Sequence, residues 1–265
     1  MSAQEVFPLT AMNTPRSPRF KVLIVLPAYN EEENIGGLLE SLSEALDDAS
    51  LDYRIIVVDD GSKDRTWEIL ERHKASIPLD VYRHEVNLGL GATIRDGLYY
   101  ANQTANPKDV VITMDADETH LPGLILRMVR MVKEGHGVVI ASRYQPGSRV
   151  IGLALHRRLI SYLASWLMRI LFHTPGVRDF TCGYRAYSGS ILRQAISEYG
   201  SAFVDQQGFQ CMVDILLKLR RLPHVVFGEA PMILRYDLKK GNSKMRLMQT
   251  SVHTLKLLVW RKLGK

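Results

Sequence analysis

Cysteine is scarce in this chain. Cys182 and Cys211 are the only two, they lie far apart, and they form no metal-ligand pattern. A disulfide scaffold is excluded on that count, and a reducing compartment is the simpler inference. Long apolar runs are missing as well. No stretch reaches the roughly 18 apolar residues that would announce a membrane-spanning helix. The first residues lack the apolar centre of a leader peptide, so none is expected. Gly89-Leu90-Gly91 does not complete a dinucleotide fingerprint, and no P-loop pattern occurs. Nicotinamide enzymes and ordinary nucleotide triphosphatases are thereby disfavoured. Internal repeats and low-complexity segments are absent too.

What is present is ordinary globular material with a basic balance. The 265 residues are 46% apolar and 23% charged, enough for one large domain or two small ones. The formal net charge is +6. That suits an anionic partner (nucleic acid, phosphates or an acidic membrane), although a basic surface without direction gives the same count.

Val110-Val111-Ile112-Thr113 is the stretch around which the rest is organised, because it runs straight into Met114-Asp115-Ala116-Asp117. The apolar, β-branched run reads as a parallel strand buried on both faces. The carboxylates follow at its C-terminal end, the edge where open α/β sheets bind ligands. Residues i and i+2 point the same way while the chain stays extended. Two carboxylates so placed repel each other unless a cation lies between them, which makes Asp115 and Asp117 candidate ligands of a hard metal. A solvated loop after a strand is the plainer reading of an isolated Asp-x-Asp.

The pattern on either side supports the sheet. Residues 1–19, with Pro8, Pro15 and Pro18, read as a flexible tail. Strands are expected at Lys21–Leu26, Tyr53–Val58, Leu79–His84 and Val138–Ala141. Between them, Ile35, Leu38, Leu39, Leu42 and Leu46 recur at helical spacing, and further helices are expected around Trp67 and Leu70, from Gly91 to Ala101, and from Pro122 to Lys133. Asp64 is placed to cap or flank the second of these helices. Strand and helix alternating with long crossovers imply a doubly wound parallel sheet. Its C-terminal edge would carry Asp60, Asn87 and Asp115.

The second half is different. Leu155, Leu159, Leu163, Leu167 and Leu171 step by four along one helix, with Ile160, Trp166 and Ile170 beside them. Such a stripe either packs on the core or lies in a membrane interface. Phe180–Tyr187 and Val225–Tyr236 look strand-like, and Gln206–Leu219 reads as a helix. Met245, Met248, Val252, Leu255 and Val259 make a last amphipathic stretch ending in Trp260, Arg261 and Lys262, which suits an anionic lipid surface.

A nucleotide diphosphate held by one divalent cation would explain the carboxylate edge. Asp115 and Asp117 would hold the metal, which bridges diphosphate oxygens. Asp60 could accept from a base or ribose, or simply cap its own turn.

Five segments then fall in the order found in one family. Pro27-Ala28-Tyr29-Asn30-Glu31, Val58-Asp59-Asp60-Gly61-Ser62 with Asp64, Asn87 with Gly89, Met114-Asp115-Ala116-Asp117 and Ser142-Arg143-Tyr144 resemble the family 2 inverting glycosyltransferases with a GT-A fold. Asp179-Phe180-Thr181-Cys182-Gly183-Tyr184-Arg185-Ala186-Tyr187 resembles a further block of the dolichol-phosphate mannose synthase-like branch, which loads sugar onto a polyprenyl phosphate. The resemblance covers about residues 20–245. It implies a GT-A catalytic domain over 20–244 and leaves 245–265 as an amphipathic, candidate interfacial helix.

That resemblance implies roles position by position. Pro27, Tyr29 and Glu31 would shape the nucleoside pocket with Asp60. Asp115 and Asp117 would carry Mg²⁺ or Mn²⁺ and the diphosphate. Thr119 stands where the branch often has Gln or Ser as an added metal-side ligand. Arg143 would face the acceptor phosphate, as would Arg157 and Ser161, which are i and i+4 on one helix face. Arginine suits this task because its planar fork meets phosphate bidentately. Lys244, in Gly241-Asn242-Ser243-Lys244, would contact the diphosphate. Arg235 would join it, although it lies farther upstream than in the branch. Glu118 is an extra acid with no assigned role.

The reaction implied is a direct displacement at the anomeric carbon, with Asp117 and Arg143 central. A phosphate acceptor is already ionised at neutral pH, so no histidine–carboxylate dyad is required, and positioning and charge stabilisation carry the rate. The expected donor is a GDP- or UDP-linked hexose, mannose or glucose foremost, and the expected place is the cytoplasmic membrane face, held peripherally. A membrane-anchored partner or a second copy of the chain are further candidate contacts. Three alternatives stay open: the same fold with a saccharide or small hydroxyl acceptor, a catalytically silent binding subunit, and a nucleic-acid binder, which no recognition motif supports.

Overall fold

A computed structural model of the chain describes residues 20–153 and 155–238; of residues 155–157 and 160 it describes the backbone alone. The expected tail at 1–19, Lys244 and the expected helix at 245–265 lie outside the described residues, as does the side chain of Arg157.

The first half alternates as its hydrophobic pattern requires. Strand β1 (Lys21–Ala28), helix α1 (Ile35–Asp48), strand β2 (Asp52–Asp59), helix α2 (Thr66–His73), strand β3 (Leu79–Arg83), helix α3 (Leu90–Thr104) and strand β4 (Val110–Thr113) follow in turn. All five residues that recur at helical spacing in α1 are buried. In β1, Val22 to Leu26 are buried without interruption, as are Ile55 to Val58 in β2 and Val110 to Ile112 in β4. Continuous burial is what a sheet covered by helices on both faces demands. Each such Leu, Ile or Val contributes about 1.5–3 kcal/mol on leaving water.

Helix α4 (Leu124–Lys133), strand β5 (Val138–Ser142), strand β6 (Arg149–Ile151), helix α5 (Leu155–Leu171), strand β7 (Arg185–Ser188) and helix α6 (Gly189–Tyr199) come next. A 3-10 turn (Gly200–Val204), helix α7 (Cys211–Leu219), strand β8 (Phe227–Pro231) and strand β9 (Ile233–Arg235) close the described chain. The main sheet runs β3-β2-β1-β4-β7-β5-β8, and β6 pairs with β9 in a small second sheet. The pairings of β1, β2, β3 and β4 are parallel, as expected, but β7 runs antiparallel to both β4 and β5.

Sheet order explains where a site can form. From β1 the chain winds outward one way to β2 and β3, then returns to place β4 on the other side of β1. The loops after β1 and β4 therefore diverge and leave a crevice at the C-terminal edge. Tyr29 follows β1, and Asp115 and Asp117 follow β4, so the expected donor residues flank that crevice.

Three expectations need correction. The segment 180–187 is a strand only from Arg185, because Phe180, Cys182 and their neighbours form an irregular loop. The expected helix at 206–219 begins at Cys211. The strand-like run 225–236 breaks at Met232, sending β8 to the main sheet and β9 to the small one.

Helix α5 resolves the choice between core and surface for its stripe. Met168 and Phe172 enter the core, and Ser165 is buried. Leu159, Leu163, Trp166 and Ile170 are each more than half exposed, and Tyr162 and Leu167 lie with them on the outer side. Of the leucine stripe, Leu159, Leu163 and Leu167 thus point away from the domain, while Leu171 packs against the core.

Candidate active site

The loops after β1 and β2 are zipped together by side chains bonding to backbone. Asn30 donates its N–H to Ser62 Oγ at 2.9 Å, and Glu31 donates its N–H to Thr66 Oγ1 at 2.7 Å. In return, Lys63 N–H donates to Asn30 Oδ1 at 2.8 Å. Asp64 flanks α2 one residue before its N-cap, Arg65, rather than capping it. One carboxylate oxygen accepts from Thr66 N–H at 3.0 Å, and the other accepts from Glu32 N–H at 3.1 Å. Glu31, expected in the nucleoside pocket, accepts from Asn34 Nδ2 at 2.8 Å. Pro27 lies within β1 opposite Val58, and Tyr29 just beyond the strand.

Asp60 is buried and well supplied with donors. Its carboxylate accepts Leu88 N–H at 2.8 Å and Gly89 N–H at 2.9 Å, and His84 Nδ1 lies 2.7 Å away. Neither sequence reading describes these bonds: they tie Asp60 to residues 84–89, while the N–H of Ser62 in its own turn goes to Asp59 Oδ1. Asp60 shapes the 87–91 loop, and any contact with a nucleoside is additional. The loop also needs glycine. Gly89 has φ of 91°, and a Cβ on Gly91 would run into the carbonyl of Gln206.

At the end of β4, Asp117 Oδ1 accepts from the Thr119 hydroxyl at 2.6 Å and from Thr119 N–H at 3.3 Å. Thr119 itself is buried. The hydroxyl assigned to the metal side from sequence is therefore engaged in aiming the Asp117 carboxylate. Asp115 donates its N–H to His120 Nδ1 at 3.3 Å, and His120 is buried with its ring stacked on Tyr184. Glu118, at φ of 58°, turns to α1, where Gly37 leaves room for its carboxylate. Arg235 donates its N–H to the Thr119 carbonyl at 3.0 Å, so β9 is brought to the carboxylate loop, while its guanidinium pairs with Asp237 at 2.8 Å.

The second cluster follows β5. Arg143 forks onto Asp179, with Nε to Oδ2 at 2.8 Å and Nη2 to Oδ1 at 2.7 Å, and Nη2 also meets Thr181 Oγ1 at 2.5 Å. Nη1 takes part in none of these bonds. Asp179 is fully buried and also accepts the N–H groups of Arg143 and Cys182. Burial pushes its carboxyl pKa up, but the Arg143 charge and hydrogen bonds outweigh burial and leave it below its ordinary value. Burial likewise works against the Arg143 charge, and Asp179 reverses it, holding the guanidinium well above its usual pKa. Tyr144 connects this pair to α5. Arg143 sits 5.4 Å over its ring, and its hydroxyl is 2.7 Å from Ser161 Oγ. Arg143 and Ser161 are thus brought together through Tyr144; Arg157 is one turn earlier on α5.

Asp179 was not singled out from sequence, although it opens the 179–187 block. The available signal was an acid at the head of a motif that also supplies buried aromatic residues. Both cysteines are free and buried, and burial lifts each thiol to about 12, which leaves them inert.

Comparison with known proteins agrees with this geometry. The glycosyl transferase family 2 profile matches residues 23–200. A dolichol-phosphate mannosyltransferase of Pyrococcus furiosus is 33% identical over 198 residues, which cover 75% of this chain and 53% of that protein. This chain therefore spans about half the length of that relative. An undecaprenyl-phosphate mannosyltransferase of Micrococcus luteus is 30% identical over 226 residues, covering 85% of this chain and 87% of that protein. Among solved structures, glucosyl-3-phosphoglycerate synthase of Mycobacterium tuberculosis, crystallised with Mn²⁺ and UDP, superposes with a TM-score of 0.64 at 20% identity, over 92% of this chain and 80% of that one. At that identity the likeness speaks for the GT-A-like fold. With the strand-end carboxylates in place and the profile spanning most of the sheet, the chain belongs to glycosyl transferase family 2.

Proposed function

We propose that this chain is a metal-dependent inverting hexosyltransferase that moves mannose or glucose from a GDP- or UDP-sugar to a polyprenyl phosphate. The observation that carries the acceptor class is the forked Arg143, fixed by Asp179 beside a helix whose apolar face points outward. A lipid phosphate needs both features: a cation for the headgroup and an apolar surface for the chain. The curated relatives named above, which act on dolichol or undecaprenyl phosphate, support the same reading.

The donor would lie in the crevice between β1 and β4. Tyr29 and Glu31 flank the nucleoside there, and Lys244 and Arg235 would approach the diphosphate. Asp115 and Asp117 suit Mg²⁺ or Mn²⁺, because such ions take one or two carboxylates and complete their shell with substrate phosphate and water. When bound, the ion supplies charge stabilisation to the departing diphosphate. The protein's part is positional. Thr119 holds Asp117 in one orientation, His120, stacked on Tyr184, accepts the Asp115 N–H, and Arg143 and Ser161 would align the acceptor oxygen with the anomeric carbon. The acceptor is an anion already, so no side chain need remove a proton.

A saccharide acceptor would need a general base near the carboxylates. His120 is the histidine beside them, but it is buried, and its ring nitrogens face the backbone and carboxylate of Asp115. A saccharide acceptor would therefore have to give its proton to a carboxylate rather than to this histidine.

Peripheral membrane contact belongs to the same proposal. The outer face of α5 offers Leu159, Leu163, Trp166 and Ile170 to an interface, with Arg158 exposed beside them. No described helix is long and apolar enough to cross a membrane.

The test is direct. The protein is incubated with Mn²⁺ or Mg²⁺, labelled sugar nucleotides and polyprenyl phosphate, and label is sought in the organic phase. Label appearing with one donor and disappearing in EDTA is expected. Label that moves only to saccharides would overturn the acceptor class.

A further inference from the structure

Two buried ionisable groups grip the loop before β7 from opposite ends, and neither is among the residues proposed to touch a substrate. Glu229, on β8, is buried. Its Oε1 accepts the N–H groups of both Arg178 and Asp179 at 2.6 Å, and its Oε2 accepts from Gln145 Nε2 at 2.9 Å. Arg185, the first residue of β7, is fully buried. Its guanidinium donates to three backbone carbonyls: Phe180 at 2.8 Å, Cys182 at 2.8 Å and Met212 at 2.6 Å. Among the described residues no carboxylate pairs with it. A buried guanidinium satisfied only by carbonyls is costly to place, and it holds what it touches firmly because no water can replace the lost contacts.

The loop thus held contains Asp179, whose carboxylate sets the plane of Arg143. It also contains Gly183, whose carbonyl accepts the Thr113 hydroxyl at 2.7 Å on the strand leading to Asp115. We infer that Glu229 and Arg185 are positioning residues that fix the Arg143 fork by clamping residues 178–184. Glu229 takes the amides at one end and Arg185 the carbonyls at the other. Gln145 extends the clamp to the segment just past Arg143. Without it, Asp179 could still pair with Arg143, but in a loop free to shift. The inference deepens the acceptor-phosphate reading and rests on it for its catalytic consequence, though not for its structural one.

The experiment uses the full chain and four readouts: thermal unfolding, GDP and UDP binding by calorimetry, initial rates against polyprenyl phosphate, and exchange protection of the Arg143 Nε–H signal by NMR. That signal is assigned by its loss in Arg143→Lys. In Glu229→Ala the protected signal should exchange rapidly, and KM for polyprenyl phosphate should rise about tenfold or more while nucleotide binding stays within about twofold. Glu229→Gln, which retains an acceptor oxygen, should recover most of both. Arg185→Lys keeps the buried charge but lacks the fork, and should loosen the same signal, which serves if Glu229→Ala does not fold. A folded Glu229→Ala or Arg185→Lys protein with an Arg143 signal as protected as in the parent would overturn the clamp. Loss of protection with unchanged polyprenyl-phosphate kinetics would uphold the clamp and count against the acceptor reading instead.

Discussion

The two edges of the site are built in different ways. On the proposed donor side, adjacent parallel strands end in loops that bond to each other through short side chains and backbone amides, as Asn30, Ser62, Asp64 and Thr66 do. On the proposed acceptor side, one guanidinium is held by a carboxylate 36 residues away, and the backbone N–H of that aspartate is held by Glu229, 50 residues farther on. The first edge is a property of sheet order and shares its loop contacts among several short bonds. The second depends on one charge pair, a partly exposed guanidinium on a fully buried carboxylate. Losing a member there should be felt far beyond the residue itself.

The largest effect should come from the carboxylate pair. Asp117→Ala is expected to lower transfer at least about a hundredfold while the protein stays folded, because it removes a proposed metal ligand. Circular dichroism and a rate assay with and without EDTA check both parts. Next is the charge pair. Asp179→Asn leaves the partly buried Arg143 without its carboxylate and should cost about 1–3 kcal/mol of stability, read by denaturant unfolding. Its pH dependence has a definite sign. The Asp179 carboxyl sits below its ordinary 3.8 in the fold, so its contribution is complete above about pH 4 and is lost as pH falls through the lower folded value. Asp179→Asn should flatten that acid limb. No comparable single replacement among Asn30, Ser62 and Thr66 should cost more than about 2 kcal/mol.

Smaller effects sharpen the contrast. Thr119→Val removes the hydroxyl that aims Asp117 and should weaken Mn²⁺ binding about ten- to hundredfold, measured by electron paramagnetic resonance titration with UDP present. Replacing Leu163 or Trp166 by Asp should weaken binding to anionic vesicles about tenfold, with added salt weakening the parent as well. Unchanged co-sedimentation would leave the outward face of α5 without a lipid role.

What could be read in the sequence follows from the same contrast. The donor edge was legible because parallel strands announce themselves as apolar runs, and their C-terminal ends carry the motif residues. The five core positions of α1 were found by spacing alone. The acceptor edge was legible only in part. Periodicity marked α5 but is blind to which way an apolar stripe points, since inward and outward helices share one pattern. The direction of β7 leaves no trace in a four-residue strand. Helix α6 was missed, because only Gly189, Leu192 and Ala195 among its residues are buried and the stripe is thin. Asp179, Arg185 and Glu229 escaped because their partners lie far off in sequence or are backbone atoms, which no spacing reveals.

One measurement bears on both edges at once. Arg143→Ala is titrated with GDP and UDP in the presence of Mn²⁺, and its rate is followed against polyprenyl phosphate concentration. Two separate anion sites predict nearly unchanged nucleotide binding and a roughly ten- to hundredfold loss in acceptor affinity or turnover, the worth of one charge-assisted contact. Lost nucleotide binding with normal acceptor kinetics would put Arg143 on the donor side and contradict the polyprenyl-phosphate assignment.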